Sequence, residues 1–162
     1  RRPDLLYSLA LRETSAEPEA PENVPRYRKL AWVAQWLGTR FVVDRVMPIL
    51  FGRTFMADPK MAAVRESWRT EIASCPRTIV RAVRGVIERA GVMDEVASVR
   101  LPTLVVVGDE DVATPPPKAR RIQQLVSGAR LARIAAAGHS SPVEQPAEVT
   151  QVLSDFFATL PY

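Results

Sequence analysis

Two short stretches of this chain hold side chains able to do acid–base chemistry. GDEDVATP, from Gly108 to Pro115, sets Asp109, Glu110 and Asp111 in a row. AGHSSPVEQP, from Ala137 to Pro146, carries His139, the only histidine. An imidazole exchanges its proton near neutral pH. A carboxylate beside it fixes the tautomer and steadies the imidazolium, so the other ring nitrogen can serve a nucleophile. On residue type alone the three acids compete for that place, and any of them could instead be solvated or cap a helix starting near Pro115. Cys75 stands alone, which excludes a disulfide framework and a cysteine metal site. It has no base near it in sequence and reads as structural.

The elements that must position these residues are legible from the apolar pattern. Leu101 to Gly108 contains LVVVG, a continuous β-branched run ended by glycine, which predicts a central parallel strand buried on both faces. Pro115 to Val126 predicts a helix, and Ala129 to Ile134 a strand nearer an edge. AAAGHSSPVEQ reads as a loop. Pro146 opens a closing helix with Val149, Val152, Leu153, Phe156, Phe157 and Leu160 on one face. Functional residues of open parallel sheets collect beyond the carboxyl ends of the strands. If the two strands are neighbours, the acids and His139 share one sheet edge.

Upstream the pattern is different. Leu5 to Leu11 reads as a further buried strand. Arg12 to Pro25, with Pro18, Pro21 and Pro25 among carboxylates, reads as an exposed connection. Residues 26 to 90 then read as helix throughout. Arg26 to Leu37 has Tyr27, Leu30, Ala31, Ala34 and Leu37 on one face and Trp32 and Trp36 on the other. Phe41 to Phe51 contains Pro48, which predicts a kink or an end near Met47. Asp58-Pro59 is a helix start with Asp as N-cap, followed by a stripe of Met61, Val64, Trp68 and Ile72. A last helix runs from Pro76, with Ile79, Val80, Val83, Val86, Ile87 and Ala90 facing in and Gly91 as C-cap. Arg77, Arg81, Arg84 and Arg89 read as its solvated face. The order strand, helical insertion, strand, helix, strand, helix predicts an α/β layered sheet.

Composition is that of a globular domain. The chain has 162 residues, 47% of them hydrophobic, enough for a core of its own, and a net charge of +4. Lys and Arg form no long run, so no nucleic-acid partner is expected. No stretch approaches the roughly 20 apolar residues of a membrane span, and the N-terminus does not read as a signal peptide. A reducing, cytoplasmic setting is expected. The absence of an initiator Met, and three strands set against several helices, suggest a sheet that continues outside this sequence.

GDEDVATP followed by AGHSSPVEQPAEV and an amphipathic closing helix resembles the C-terminal part of the α/β-hydrolase fold. GHSSPVEQP is especially similar to the branch of lactonases and esterases that includes 3-oxoadipate enol-lactonases, and SLALRETSAEP resembles the strand that leads into its lid. The resemblance implies a partial α/β-hydrolase sheet with an all-helical lid: residues 1–20 a core strand and connection, 21–98 the lid, 99–162 the C-terminal core. It places the triad acid on Asp111 and the histidine on His139. It implies a serine hydrolase for small ester, lactone or related carbonyl substrates, with no metal and no organic cofactor. C–C bond hydrolysis and cofactor-free haloperoxidase-type chemistry use the same triad. Trp32, Trp36, Met56 and Trp68 would line a pocket under the lid or pack the lid helices, and Val112 is a further candidate substrate contact.

The family's G-x-S-x-G elbow does not occur here, nor does an oxyanion-hole motif. Ser8, Ser15, Ser140 and Ser141 lack the strand–turn–helix setting of a nucleophile. The expectation is that the nucleophile lies before residue 1, in an N-terminal half of the hydrolase that this chain must partner, and that the chain alone is inactive. The contrasting expectation is a non-catalytic interaction module, in which an exposed parallel edge strand pairs with another copy to give a dimer or swapped assembly.

Overall fold

TLVVVG forms the middle of a three-stranded parallel sheet. The computed structural model describes residues 5–160. Its strands are β1 (Leu9–Arg12), β2 (Thr103–Gly108) and β3 (Arg130–Ile134), in the order β1-β2-β3. Leu9 pairs with Thr103 and Arg12 with Val106; Leu104 pairs with Arg130 and Gly108 with Ile134. Every residue of β2 is buried. Successive side chains of a strand point to opposite faces, so β2 feeds two cores. Val105 and Val107 pack with Ala16, Ala119, Ile122 and Val126 on one face. Leu104 and Val106 pack with Ile134, Ala137, Val149 and Phe156 on the other. Helix α7 (Pro116–Leu125) supplies Ala119 and Ile122 to the first face, and α9 (Pro146–Ala158) supplies Val149 and Phe156 to the second.

The chain folds as two compact units. Of the described residues, one holds those up to Ala16, Ile49–Phe55 and those from Val92 to Leu160; the other holds Glu17–Pro48 and Met56–Gly91. The sheet and both cores above belong to the first, as does a short helix, α6 (Met93–Ala97), which the sequence pattern does not announce. The insertion runs through α1 (Val24–Trp36), a 3-10 turn at Thr39–Phe41, α2 (Val43–Leu50), α3 (Arg53–Ala57), a 3-10 turn at Pro59–Met61, α4 (Ala62–Ser74) and α5 (Ile79–Ile87). Ala31, Ala34, Val42 and Val80 form the core of the second unit. The Thr39 hydroxyl, 2.9 Å from the carbonyls of both Ala73 and Cys75, ties the first 3-10 turn to the end of α4. Asp58 caps the second 3-10 turn by accepting the Lys60 N–H at 2.9 Å. No helix among the described residues is long and apolar enough to cross a membrane.

Several boundaries differ from the sequence reading. The first strand begins at Leu9, and Leu5, Leu6 and Tyr7 are largely exposed. Its ladder starts where Leu9 donates to the carbonyl of Pro102; Pro102 has no N–H with which to extend the pairing backward. Nor is β1 covered on both faces, since its residues alternate between half-buried and exposed. Helix α2 continues through Pro48 to Leu50. Pro48 forgoes a single helical bond at an exposed position near the helix end, which costs less than breaking the element. The last insertion helix ends at Ile87, short of Gly91, and Ile79 and Val86 on its expected inner face are exposed. The stripe on α4 has no fully buried member. In α9, Phe157 points outward and is 43% exposed, beside the buried Phe156.

This last difference gives a direct test. Phe156→Ala empties a fully buried site and is expected to cost about 3 kcal/mol. Phe157→Ala should cost less than half of that. Urea midpoints of the two variants decide which ring belongs to the core.

Candidate active site

The acidic loop and the histidine loop leave the same edge of the sheet because β2 and β3 are adjacent and parallel. Their backbones are knitted directly: the Asp109 N–H donates to the carbonyl of Ile134 at 3.0 Å and the Glu110 N–H to that of Ala137 at 2.8 Å. The approach is close enough to require glycine. A Cβ on Gly108 would lie 2.3 Å from the carbonyl oxygens of Ala137 and Gly138. Ala136, with φ 53°, takes the left-handed turn that brings the chain back toward β2.

The structure separates the three candidate acids by what each meets. Asp109 accepts from Arg133 Nε at 2.6 Å on β3, a partly exposed pair. Glu110 faces Arg53 and Thr54. Asp111 meets His139: Nδ1 lies 2.9 Å from Asp111 Oδ2. Because an ionised carboxylate only accepts, Nδ1 carries the proton of this bond and Nε2 is the nitrogen that remains to exchange a proton with a reacting group. The Asp111 side chain is fully buried, whereas that of His139 is 28% exposed.

Asp111 does not cap α7. Its Oδ1 instead accepts the N–H groups of Ala113 and Thr114, both at 2.8 Å, an Asx-type turn. The Thr114 hydroxyl donates to Oδ2 at 2.9 Å and stands 3.3 Å from His139 Nδ1. Burial pushes the Asp111 carboxyl up, but the bond and charge of His139 together with the Thr114 donors outweigh it and hold the carboxyl below its usual range. Burial likewise presses the imidazole of His139 down, and its bond to Asp111, with the charges of Asp111 and Glu13, outweighs this and raises it. Arg12 opposes that rise.

Sequence reasoning passed over three residues around this pair. Thr114 had a local signal, an acid three residues ahead of a Thr that precedes a proline-started helix. Glu13, just past β1, is buried with φ 40°, a backbone conformation uncommon outside glycine. It pairs with Arg12 at 2.8 Å and accepts a hydrogen bond from the Ser141 hydroxyl. Glu144 lies in a short helix, α8 (Ser141–Glu144), where the sequence reading had only loop. Its Oε1 accepts the N–H groups of Gly138 at 2.9 Å and Ser140 at 3.2 Å, on either side of His139. Burial raises both Glu13 and Glu144 above the usual carboxylate value, their hydrogen bonds offsetting part of the effect.

Val112, next to Asp111, is 59% exposed. Trp32 and Trp36 on α1 and Trp68 on α4 are exposed residues of the helical unit, and Met56 on α3 is half-buried there. Ser8 precedes β1, and the Ser141 hydroxyl is committed to Glu13. Among the described residues no cluster of three or more His, Cys, Asp or Glu is arranged to hold a metal ion.

The model of the alpha/beta hydrolase family matches residues 6–152. A thermophilic esterase from Thermogutta terrifontis, solved with malate bound, is 31% identical with a TM-score of 0.84, over 98% of this chain and 58% of that one. The enol-lactonase of Burkholderia xenovorans LB400 is 24% identical with a TM-score of 0.86, again over 98% and 58%. MGS-M2, an alpha/beta hydrolase enzyme from a Medee basin deep-sea metagenome library, is 20% identical with a TM-score of 0.83, over 100% and 60%. The latter two are likenesses of fold. The chain thus spans less than two thirds of each of these structures. No curated protein matches it.

His139 is the sole histidine, so its titration can be read directly by NMR. Asp111→Asn removes the group that raises the imidazole, and the His139 pKa is expected to fall; an unchanged value would show that the bond does not operate in solution. Stability should follow the same groups. The lowered Asp111 contributes stability that is lost as pH drops below 3.8 through its folded value. The raised His139 contributes stability that is lost as pH climbs from 6.5 through its folded value. Raised Glu13 and Glu144 act in the same sense from 4.5 upward. Tm is therefore expected to be highest in mildly acidic buffer and to decline toward pH 8, less steeply in Asp111→Asn.

Proposed function

The chain belongs to the alpha/beta hydrolase family, and we propose that it supplies the acid and the base of a serine hydrolase acting on small esters, lactones or related carbonyl compounds. The observation that carries this reading is the 2.9 Å bond from His139 Nδ1 to a fully buried Asp111. In the proposed reaction His139 Nε2 removes the proton of a serine hydroxyl as its oxygen attacks the carbonyl carbon. The imidazolium then returns that proton to the leaving alcohol or ring oxygen, and water repeats the sequence on the acyl-enzyme. Asp111 stays ionised throughout and stabilises the imidazolium. Backbone N–H groups facing the carbonyl oxygen would carry the developing negative charge.

In this proposal the serine and those N–H groups come from outside the 162 residues, because no serine of the chain sits on a strand–turn–helix elbow. Val112, exposed beside Asp111, is a proposed substrate contact. Trp32, Trp36, Met56 and Trp68 are retained as apolar side chains for an acyl or ring group. A second reading, association through the sheet, draws on the position of β1, which pairs only with β2 among the described residues. A free parallel edge favours pairing with another strand, and light scattering of the purified chain would reveal a dimer.

The enzyme reading is tested in a protein that contains both this chain and the nucleophile. There His139→Ala is expected to lower kcat for an activated ester by about 10³-fold or more, and Asp111→Asn by about 10²–10⁴-fold. The acidic limb of kcat/KM, set by His139 deprotonation, should move to lower pH in Asp111→Asn, since the charge that raises the imidazole is gone. Activity indifferent to both substitutions would sink the assignment. For the chain by itself the expected result is no His139-dependent hydrolysis of p-nitrophenyl acetate; robust turnover abolished by His139→Ala would show that the nucleophile lies within it.

A further inference from the structure

Ile49–Phe55 leaves the helical insertion and packs with the sheet unit. Phe51 and Phe55 are buried there, with their rings stacked at 4.9 Å. Two carboxylates hold the segment between these rings, one from the loop of Asp111 and one from α8, which follows His139. Glu110, the neighbour of Asp111, accepts the Thr54 N–H at 2.8 Å, the Thr54 hydroxyl at 2.6 Å and Arg53 Nε at 3.1 Å. Glu144 accepts the Gly52 N–H at 2.8 Å through Oε2, while its Oε1 takes the N–H groups on both sides of His139. The backbones also abut. A Cβ on Gly138 would lie 2.3 Å from the Gly52 nitrogen, and one on Gly52 would lie 2.8 Å from the Gly138 nitrogen.

We propose that Phe51–Thr54 is a strap that sets the spacing of the pair, with Glu110 and Glu144 as positioning residues through which it acts. Neither carboxylate touches the Asp111–His139 bond. Each fixes the backbone beside one member of it, and both are held to the same four residues. A drift of about 1 Å between the loops would stretch the 2.9 Å bond beyond hydrogen-bonding distance. Burying Glu144 costs desolvation that its three N–H donors offset in part. Two of those donors flank the imidazole, so what stabilises Glu144 also immobilises His139. The inference rests on reading the pair as an acid–base device, but its test needs only the pair's geometry.

The test is the NMR titration of His139 in the full chain, together with the Nδ1–H resonance of its bond to Asp111. Glu144→Gln can keep Oε1 as acceptor for Gly138 and Ser140, but it sets an NH₂ against the Gly52 N–H, so it cuts the strap tie alone. Glu110→Ala cuts the other tie. Each variant is expected to lower the His139 pKa toward the ordinary 6.5 and to broaden or abolish the Nδ1–H resonance. Val149→Ala, in the core beneath β3, controls for general loss of stability and should leave both signals as in the parent. Variants that fold and keep the parental titration and resonance overturn the proposal. Where either fails to fold, Thr54→Val, which removes a single hydroxyl from Glu110, must shift the signals in the same direction, and no shift overturns it. The readout is independent of hydrolysis: an unresponsive imidazole refutes the strap, whereas an ester-hydrolysis rate indifferent to His139→Ala refutes the enzyme reading.

Discussion

The Asp111 carboxylate sits at the buried end of the central strand with no exposed side-chain surface. A charge in that place is tolerable only if donors are brought to it. The local turn brings the N–H groups of Ala113 and Thr114 and the Thr114 hydroxyl. The remaining donor, His139 Nδ1, must come from another strand end. That requirement draws in the parallel pairing of β2 and β3, the glycine at Gly108 and the left-handed turn at Ala136. Donors in sufficient number keep Asp111 ionised despite burial, and an ionised Asp111 keeps the imidazole in one tautomer.

The same logic recurs around the pair with different outcomes. Glu110 is near the surface and well supplied with donors, so its carboxyl is held below the usual value although burial opposes this. Glu13 and Glu144 are deeper, and there burial outweighs their hydrogen bonds. Four carboxylates therefore border one edge of a three-stranded sheet while titrating in opposite senses. Their arrangement shares the work: Asp111 faces the imidazole, Glu144 holds the backbone that carries it, Glu110 holds Arg53 and Thr54, and Glu13 leaves β1 in a strained conformation to reach Ser141. Surface ion pairs such as Arg69 with Asp44 are a separate matter and add little to stability.

The sheet owes its form to β2. A strand buried at every position needs cover on both faces, and α7 and α9 provide it through alternate valines and leucines. β1 and β3 flank it and are covered less completely. The helical unit has its own small core of alanine and valine, and its tryptophans stay largely outside that core. Ile49–Phe55 returns to the sheet unit between two blocks of that helical sequence, and backbone groups that the sheet unit's own carboxylates satisfy hold it there.

The sequence by itself determined the layered α/β plan, the central strand, the closing helix and the two loops that matter. A continuous β-branched run, a clean helical period and glycine or proline punctuation are local signals, and local physics reads them. It also carried the family resemblance that singled out Asp111 and His139. On residue type Asp109, Glu110 and Asp111 are equivalent, and only the tertiary structure gave each its partner: Arg133 to Asp109, Arg53 and Thr54 to Glu110, His139 to Asp111. It likewise decided that β1 starts at Leu9, that Phe157 faces outward, and that Glu13, Thr114 and Glu144 belong with the pair. These facts depend on contacts between residues as far apart as Glu13 and Ser141, or Gly52 and Glu144. No periodicity encodes such distances, and the need to satisfy buried charge selects them only once the chain is folded.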